Sequence, residues 1–272
     1  MSENAQPWPD LAGKTVVITG AAGGIGAALA AAFQAAGAHL ALLDRDAERC
    51  HALASSLDGS PALIAACDIS DPASVAAAAG KVQQVLGGAD VLVNNAAILA
   101  PGDLMDLELS EWRRLLSINL DGSFLCAQAF GRQMRARGGG AIVHMGSVSG
   151  TFPQPASGAY SVAKAGIAML SKLIAIEWSQ WGIRSNVVSP AMVLTPMSAG
   201  FYADPDLRAR REAMVPLGRI GMPGDIAKAV LWLASPHAAY VNGIELPVDG
   251  ALPTNLLRFI PRPGYESEHS PG

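Results

Sequence analysis

Short apolar runs alternate with longer Ala-rich stretches through most of the chain. The runs predict strands over residues 15–19, 39–43, 62–66, 91–94, 141–145, 184–188 and 244–248. Several of them, such as VVIT, LALL and VLV, carry no polar alternation. That is the pattern of strands covered on both faces, as in a parallel sheet under helices. The stretches between them predict helices over 25–36, 47–57, 74–86, 110–137, 159–181 and 224–234, mostly long enough to be crossovers. One doubly wound α/β domain spanning 1–272 follows. Ser110, followed by Glu111, reads as a helix N-cap. Gly37 and Gly138 stand where helix-ending glycines are expected. Two stretches break the rhythm: a long mixed segment over 194–219 and a Pro-rich tail over 251–272.

Composition narrows the class. Of 272 residues, 50% are hydrophobic and 15% charged, enough apolar surface for a sizeable core. A net charge of −4 without a basic block speaks against nucleic acid as a partner. Cys50, Cys67 and Cys126 are odd in number and scattered, so a reducing compartment, the cytoplasm, is expected rather than a disulfide framework. The five histidines do not cluster by spacing, and no catalytic metal is expected; His144 reads as a packed strand residue. Residues 1–10 lack the basic-then-apolar pattern of a secretory signal. No apolar run approaches the length of a membrane span.

The first predicted strand runs directly into TGAAGGIG and a helix. Gly20, Gly24 and Gly26 would let the backbone turn sharply and approach a pyrophosphate, and the helix N-terminus would offer it N–H groups. Asp44 closes the second strand, where a carboxylate accepts from adenosine ribose hydroxyls and repels a 2′-phosphate. The glycine-rich loop is without a basic residue, so NAD is expected over NADP. Asp68 fits either the adenine edge or a plain turn.

Tyr160 and Lys164 lie at i, i+4 on one predicted helix face. An ammonium about 4 Å from the phenol, at an effective dielectric of about 20, would be worth roughly 4 kcal/mol, or about 3 pKa units before desolvation takes some back, and the charge of an oxidised nicotinamide would push the same way. Tyr160 would then serve as an acid or base near neutral pH. The fifth strand ends in HMGSVSG, which brings Ser147 or its rival Ser149 to the ligand-binding edge of the sheet.

Together the segments TGAAGGIG, Asp68, NNAA at 94–97, Asn119 in SINLDG, Ser147, YSVAK at 160–164 and SPAMVLT at 189–195 resemble the short-chain dehydrogenase/reductase family, in family order, over about residues 10–250. The resemblance implies a Rossmann-type seven-stranded parallel sheet in order 3-2-1-4-5-6-7, with a cofactor half over about 10–150 and a substrate half over about 150–250. It implies that Tyr160 is the general acid/base and that Lys164 lowers its pKa and holds the nicotinamide ribose. Ser147 would polarise the substrate oxygen, and Asn119 would hold a water relaying protons from Lys164. Thr195 and the backbone of Val193 would bind the carboxamide; Asn94 would steady the sheet. Ile25, Ile69, Asn95 and Ala96 would line the cofactor. Ala97 and Ala191 stand where the family has glycine, which would cost energy if either needed a positive φ.

A hydride transfer between NAD(H) and a secondary alcohol or ketone is therefore expected. Ser149, Gln154, Met192, Met197 and Phe201 are candidate substrate contacts. The lack of a basic residue in SVSGTFPQPASG favours a neutral alcohol, polyol, sugar or cyclic ketone. Residues 194–215 would form a lid. An NADP-dependent ketoacyl-type reductase and a non-catalytic nucleotide sensor are the alternatives. The resemblance also implies a homotetramer through the long middle helices and the last strand, and the apolar LLRFI at 256–260 is expected to dock on a neighbouring subunit.

Overall fold

A computed structural model describes residues 11–59, 62–255 and 260. Its strands are β1 (Thr15–Thr19), β2 (His39–Asp44), β3 (Leu63–Ala66), β4 (Val91–Asn94), β5 (Gly140–Met145), β6 (Ile183–Pro190) and β7 (Glu245–Val248). They form one seven-stranded sheet in the order β3-β2-β1-β4-β5-β6-β7. Every pairing in it is parallel. Strands and order are those expected from the sequence.

The helices are α1 (Gly24–Ala35), α2 (Ala47–Ser55), α3 (Pro72–Leu86), α4 (Leu109–Leu116), α5 (Gly122–Ala136), α6 (Tyr160–Trp178), α7 (Pro205–Met214) and α8 (Pro223–Ala234). Successive strand side chains point to opposite faces. Val16 and Ile18 pack with Leu29 and Phe33 of α1 and Val230 of α8. Val17, between them, packs on the other face with Val82 of α3, Phe130 of α5 and Ile174 of α6. A strand feeding two cores has no polar side, which is why VVIT reads as continuous.

Helix ends follow local chemistry in several places. Asp71 accepts from the Ala73 N–H ahead of Pro72, and Asp46 accepts from the Arg49 N–H. Gly37 and Gly138 both have the left-handed φ of a helix stop, +80° and +85°. Ser110 is not an N-cap, contrary to the sequence expectation. The Glu108 carbonyl already accepts the Trp112 N–H, so Ser110 lies inside the first turn of α4.

The stretch 110–137 is not one regular helix either. A π-helical segment, Ser117–Asp121, joins α4 to α5. The mixed segment 194–219 contains α7, started by Asp204, which accepts from the Asp206 and Leu207 N–H groups. None of the α7 residues is buried, so the helix writes no apolar stripe into the sequence.

Residues 1–10 lie outside the described residues, as do four of the five in LLRFI; Ile260 is described and exposed. Among the described residues no helix is long and apolar enough to cross a membrane.

Candidate active site

The loops after β1, β2, β4, β5 and β6 leave the sheet at its C-terminal edge, the side on which open parallel sheets bind ligands. The glycine-rich turn is built for close approach. Gly20 has φ +63°, and a Cβ there would lie 2.7 Å from the Ala96 Cα. A Cβ on Gly26 would strike the Gly20 carbonyl. Gly24 sits directly under the loop after β6, where a Cβ would meet Pro196 at 2.7 Å and Thr195 at 3.1 Å. Gly23 caps α1 without a side-chain bond, and the first turn of α1 has no acidic residue. Its N–H groups and positive dipole end therefore remain available to an anion such as a pyrophosphate.

Asp44 accepts from the Ala22 N–H and the Asp46 N–H, both at 3.1 Å. A carboxylate has about four acceptor positions, so two remain for ribose hydroxyls. Arg49 reaches back to donate to the Ala22 carbonyl at 3.1 Å. The sequence reading missed this residue, because α2 carries it a full turn past Asp44. Asp68 has its Oδ1 tied to Ser70, accepting from N–H at 2.9 Å and Oγ at 2.6 Å. Those bonds hold its carboxyl below the usual range, and they realise the turn role. Ile25 is half-buried in the first turn of α1. Ile69 is buried where a Cβ on Gly122 would touch it at 2.8 Å.

The loop after β4 is fastened by Thr19, which sequence reasoning also passed over. Its Oγ1 accepts from the N–H groups of Asn95 and Ala96 at 3.0 and 3.1 Å. Asn95 Nδ2 returns bonds to the carbonyls of Thr19 and Gly20. Asn119, fully buried in the π-helical segment, accepts from Ile98 N–H at 2.8 Å and donates to Ile98 C=O at 2.9 Å. Its carboxamide is thus a clamp on the β4 loop. Among the described residues Ala156 and Ala251 are the only non-glycines with positive φ, so Ala97 and Ala191 carry no such strain.

Ser147 stands in extended conformation just past β5, and its Oγ accepts from the Ser149 N–H at 3.1 Å. It also faces the Tyr160 hydroxyl closely enough to favour the phenolate, which distinguishes it from Ser149. Tyr160 opens α6, and Lys164 follows one turn later. Lys164 Nζ donates to the Met145 carbonyl at 2.7 Å and lies 5.5 Å from the Tyr160 ring centroid.

In the protein alone, desolvation outweighs the help expected from Lys164. Burial holds the Tyr160 phenol above its ordinary value, against the opposing influence of Ser147. Burial pulls Lys164 down to about 8. The reason is geometric: the ammonium is anchored at a main-chain carbonyl, over the ring rather than at the phenol oxygen.

After β6, Val193 is buried and pairs with Gly221 as an isolated bridge. Ser198 Oγ donates to the Val193 carbonyl at 2.6 Å and accepts from the Thr195 N–H at 3.0 Å, which sets both residues over Gly24. Of the candidate substrate contacts, Ser149 is buried beside Ser147 and Met192 is half-buried; Gln154, Met197 and Phe201 are exposed. A cavity of about 650 Å³ opens at the opposite edge of the sheet, lined by Leu11, Lys14, Asp90 and Arg184, and touches none of these residues. Among the described residues no group of three His, Cys, Asp or Glu side chains could hold a metal ion.

A doubly wound sheet with a glycine-rich first turn and a Ser–Tyr–Lys edge defines a nucleotide-dependent oxidoreductase. Comparison with known proteins narrows this. The family model described as enoyl-(acyl carrier protein) reductase matches residues 20–252. D-threitol dehydrogenase of Mycolicibacterium smegmatis is 43% identical over 244 residues, 88% of this chain and 93% of that protein. Galactitol 2-dehydrogenase (L-tagatose-forming) of Cereibacter sphaeroides is 40% identical over 243 residues, 88% and 95% of the two chains. The crystal structure of a gluconate 5-dehydrogenase from Burkholderia cenocepacia, in complex with NADP and tartrate, superposes with a TM-score of 0.86 at 34% identity, covering 91% of this chain and 98% of that one. The chain belongs to the short-chain dehydrogenase/reductase family and is an oxidoreductase acting on CH–OH groups with a nicotinamide cofactor.

Proposed function

We propose that the protein is an NAD-dependent dehydrogenase of neutral secondary alcohols, polyols foremost, with Asn119, Ser147, Tyr160 and Lys164 as its catalytic set. The observation that carries this is the meeting of Ser147 and the Tyr160 phenol at the sheet edge, with Lys164 one helical turn behind. A substrate hydroxyl inserted between Ser147 Oγ and Tyr160 Oη bonds to each. A bound nicotinamide supplies the hydride acceptor or donor. Tyr160 Oη removes the hydroxyl proton in oxidation and returns it in reduction. Ser147 orients the substrate oxygen, and the Lys164 ammonium favours the phenolate as charge develops. Asn119 would hold the water that relays the proton between Lys164 and solvent, while its carboxamide fixes the loop at Ile98.

The uncapped α1 N-terminus, with Gly20, Gly24 and Gly26, fits a pyrophosphate, and Asp44 fits an unphosphorylated ribose; hence NAD rather than NADP. Asp68, Ile69, Asn95 and Ala96 would flank the adenosine, and Ile25, Val193 and Thr195 the nicotinamide end. A polyol substrate is supported by the threitol and galactitol dehydrogenases among the relatives and by the flexible Met192 and Met197 beside the site. α7 and the residues before it form the lid. We further propose a single catalytic domain that assembles as a homotetramer: Val162, Met169, Leu173 and Ile176 make an exposed apolar stripe along α6 that a second copy would cover. The three free, buried cysteines favour the cytoplasm.

The test is NADH formation across a panel of secondary alcohols and polyols, run with NAD and with NADP. Turnover with NAD, lowered about 10²–10⁴-fold in Tyr160→Phe, is expected. Turnover with NADP alone would overturn the cofactor assignment, and unchanged turnover in Tyr160→Phe the site itself.

A further inference from the structure

Beneath Lys164, on the α5/α6 face of the sheet, lies a small polar cluster around Asn94, which the resemblance has steadying the sheet, and His144. Asn94 and His144 face each other across the β4–β5 register. Both are buried, His144 completely. Asn94 Nδ2 donates to the Ser123 carbonyl at 3.0 Å and meets His144 Nδ1 at 3.2 Å. The Ser123 Oγ in turn donates to the Asn119 carbonyl at 3.0 Å.

These contacts fix the protons. A carbonyl only accepts, so the Asn94 amide must present its nitrogen to Ser123. The second hydrogen on that nitrogen points at His144 Nδ1, which must then be an acceptor. The imidazole therefore carries its proton on Nε2. Burial, with Lys164 adding to it, holds the ring neutral, its pKa pushed down to about 3.

Two atoms are left over. Among the described residues, Asn94 Oδ1 and His144 Nε2 are the buried side-chain polar atoms without a hydrogen-bond partner. One is an acceptor and the other a donor. Buried polar groups are nearly always paired, by protein or by internal water, and leaving one unpaired costs about 1–3 kcal/mol. A water accepts from Nε2–H, donates to an acceptor and still has bonding capacity left.

We propose that Asn94 and His144 hold an internal water on this face, and that through it His144 is a positioning residue for Lys164. The inference rests on the reading of Lys164 as the partner of Tyr160. His144 immediately precedes Met145, whose carbonyl anchors Lys164 Nζ. The groups facing it are Asn94 from β4 and Lys164 from α6, with Ser123 of α5 behind Asn94 and Val187 alongside in β6. Lys164 is the one charged group among the described residues whose field reaches it. The water that accepts from Nε2–H keeps a second lone pair, and by accepting from the Lys164 ammonium with it favours the charged form. Removing ring and water makes that charge harder to keep, and the Tyr160 phenolate loses its support.

The test compares His144→Leu, His144→Gln and Lys164→Ala by the pH profile of kcat/KM for alcohol oxidation, with ¹⁵N-histidine NMR on the wild type. The expected NMR result is the Nε2–H tautomer throughout the neutral range. The limb at which activity appears on raising pH should move up in His144→Leu by about half a unit or more, a threefold loss at fixed pH below it. His144→Gln, which restores an amide donor, should bring the limb back. A cavity-filling role alone would change Tm and leave the limb in place. An unmoved limb in folded His144→Leu, or an Nδ1–H tautomer, overturns the proposal. If His144→Leu does not fold, His144→Met, which likewise has no N–H donor, is judged by the same limb. Lys164→Ala separates the failures: a wild-type limb there faults the reading of Lys164, whereas a moved limb there with an unmoved one in His144→Leu faults His144 alone.

Discussion

Asn119 grips both main-chain groups of Ile98, accepting from its N–H at 2.8 Å and donating to its C=O at 2.9 Å, as a neighbouring strand would. The bond pair joins the π-helical segment to the loop after β4 across 21 positions of sequence. It sets where one wall of the cleft stands relative to the helix that carries Lys164.

Asn119→Ala leaves two polar groups of Ile98 unpaired next to the core. The expected cost is about 3 kcal/mol, a Tm lower by roughly 10 °C. Asn119→Asp keeps the acceptor and loses the donor, so it should fall between. Thermal unfolding of the three proteins decides; coincident melting curves would show that the clamp contributes nothing.

Asp44 does two jobs that one substitution separates. Asn at this position retains an oxygen for the Ala22 N–H and removes the negative charge. Less negative charge then faces exposed Arg45 and Arg49 near the ribose end. We expect Asp44→Asn to lower kcat/KM with NAD and raise it with NADP, shifting their ratio at least tenfold, about 1.4 kcal/mol. An unchanged ratio would mean that Asp44 is there for the loop alone.

Gly24→Ala places a methyl 2.7 Å from Pro196 Cδ and 3.1 Å from Thr195 Cβ. Proline has little freedom to yield, so the loop after β6 must shift. Overpacking of this kind costs about 1–3 kcal/mol, and the displaced Thr195 should weaken cofactor binding in a fluorescence titration. Wild-type affinity in a folded variant would detach Thr195 from the cofactor site.

His144 links stability to acid. Its folded pKa, about 3, is depressed from 6.5. The unfolded chain therefore binds the proton more readily between those values. The contribution is fully present above pH 6.5 and is lost as pH falls through 3. His144→Leu has no such linkage, so its Tm relative to wild type should rise steadily as pH is lowered from 6.5. A constant Tm difference across that window would mean that the ring titrates normally.

Lys164 carries the opposite experimental window. Its pKa, about 8 against 10.5 for a free lysine, means that its stabilising share is complete above 10.5 and lost as pH falls towards 8. The charge it keeps at neutral pH is a cost of folding borne at the proposed catalytic site.

Much of this architecture is written locally. VVIT, LALL and VLV announce doubly covered strands because a parallel sheet under two helical layers leaves no polar side. TGAAGGIG announces a close-approach turn because Gly20, Gly24 and Gly26 have no room for a Cβ. Tyr160 and Lys164 share a helix face because a helix repeats every 3.6 residues. Each of these depends on neighbours within a few positions. By contrast α7 was hidden, since a helix that buries nothing needs no apolar stripe. The cap of α4 was misplaced at Ser110, since the backbone turns two residues earlier.

What only the tertiary structure decided are the pairings between distant segments: Asn119 with Ile98, Thr19 with the Asn95 loop, Asn94 with His144, and Lys164 with Met145. The last could not be read from spacing, because i, i+4 fixes a shared face and not the direction of a four-carbon side chain. The sequence by itself determined the sheet, the nucleotide-type turn and the identities at the proposed catalytic edge. Strand register and helix packing decided which carbonyl each buried polar group found, because in a desolvated interior a partner must be supplied by whatever the fold brings within 3 Å or so.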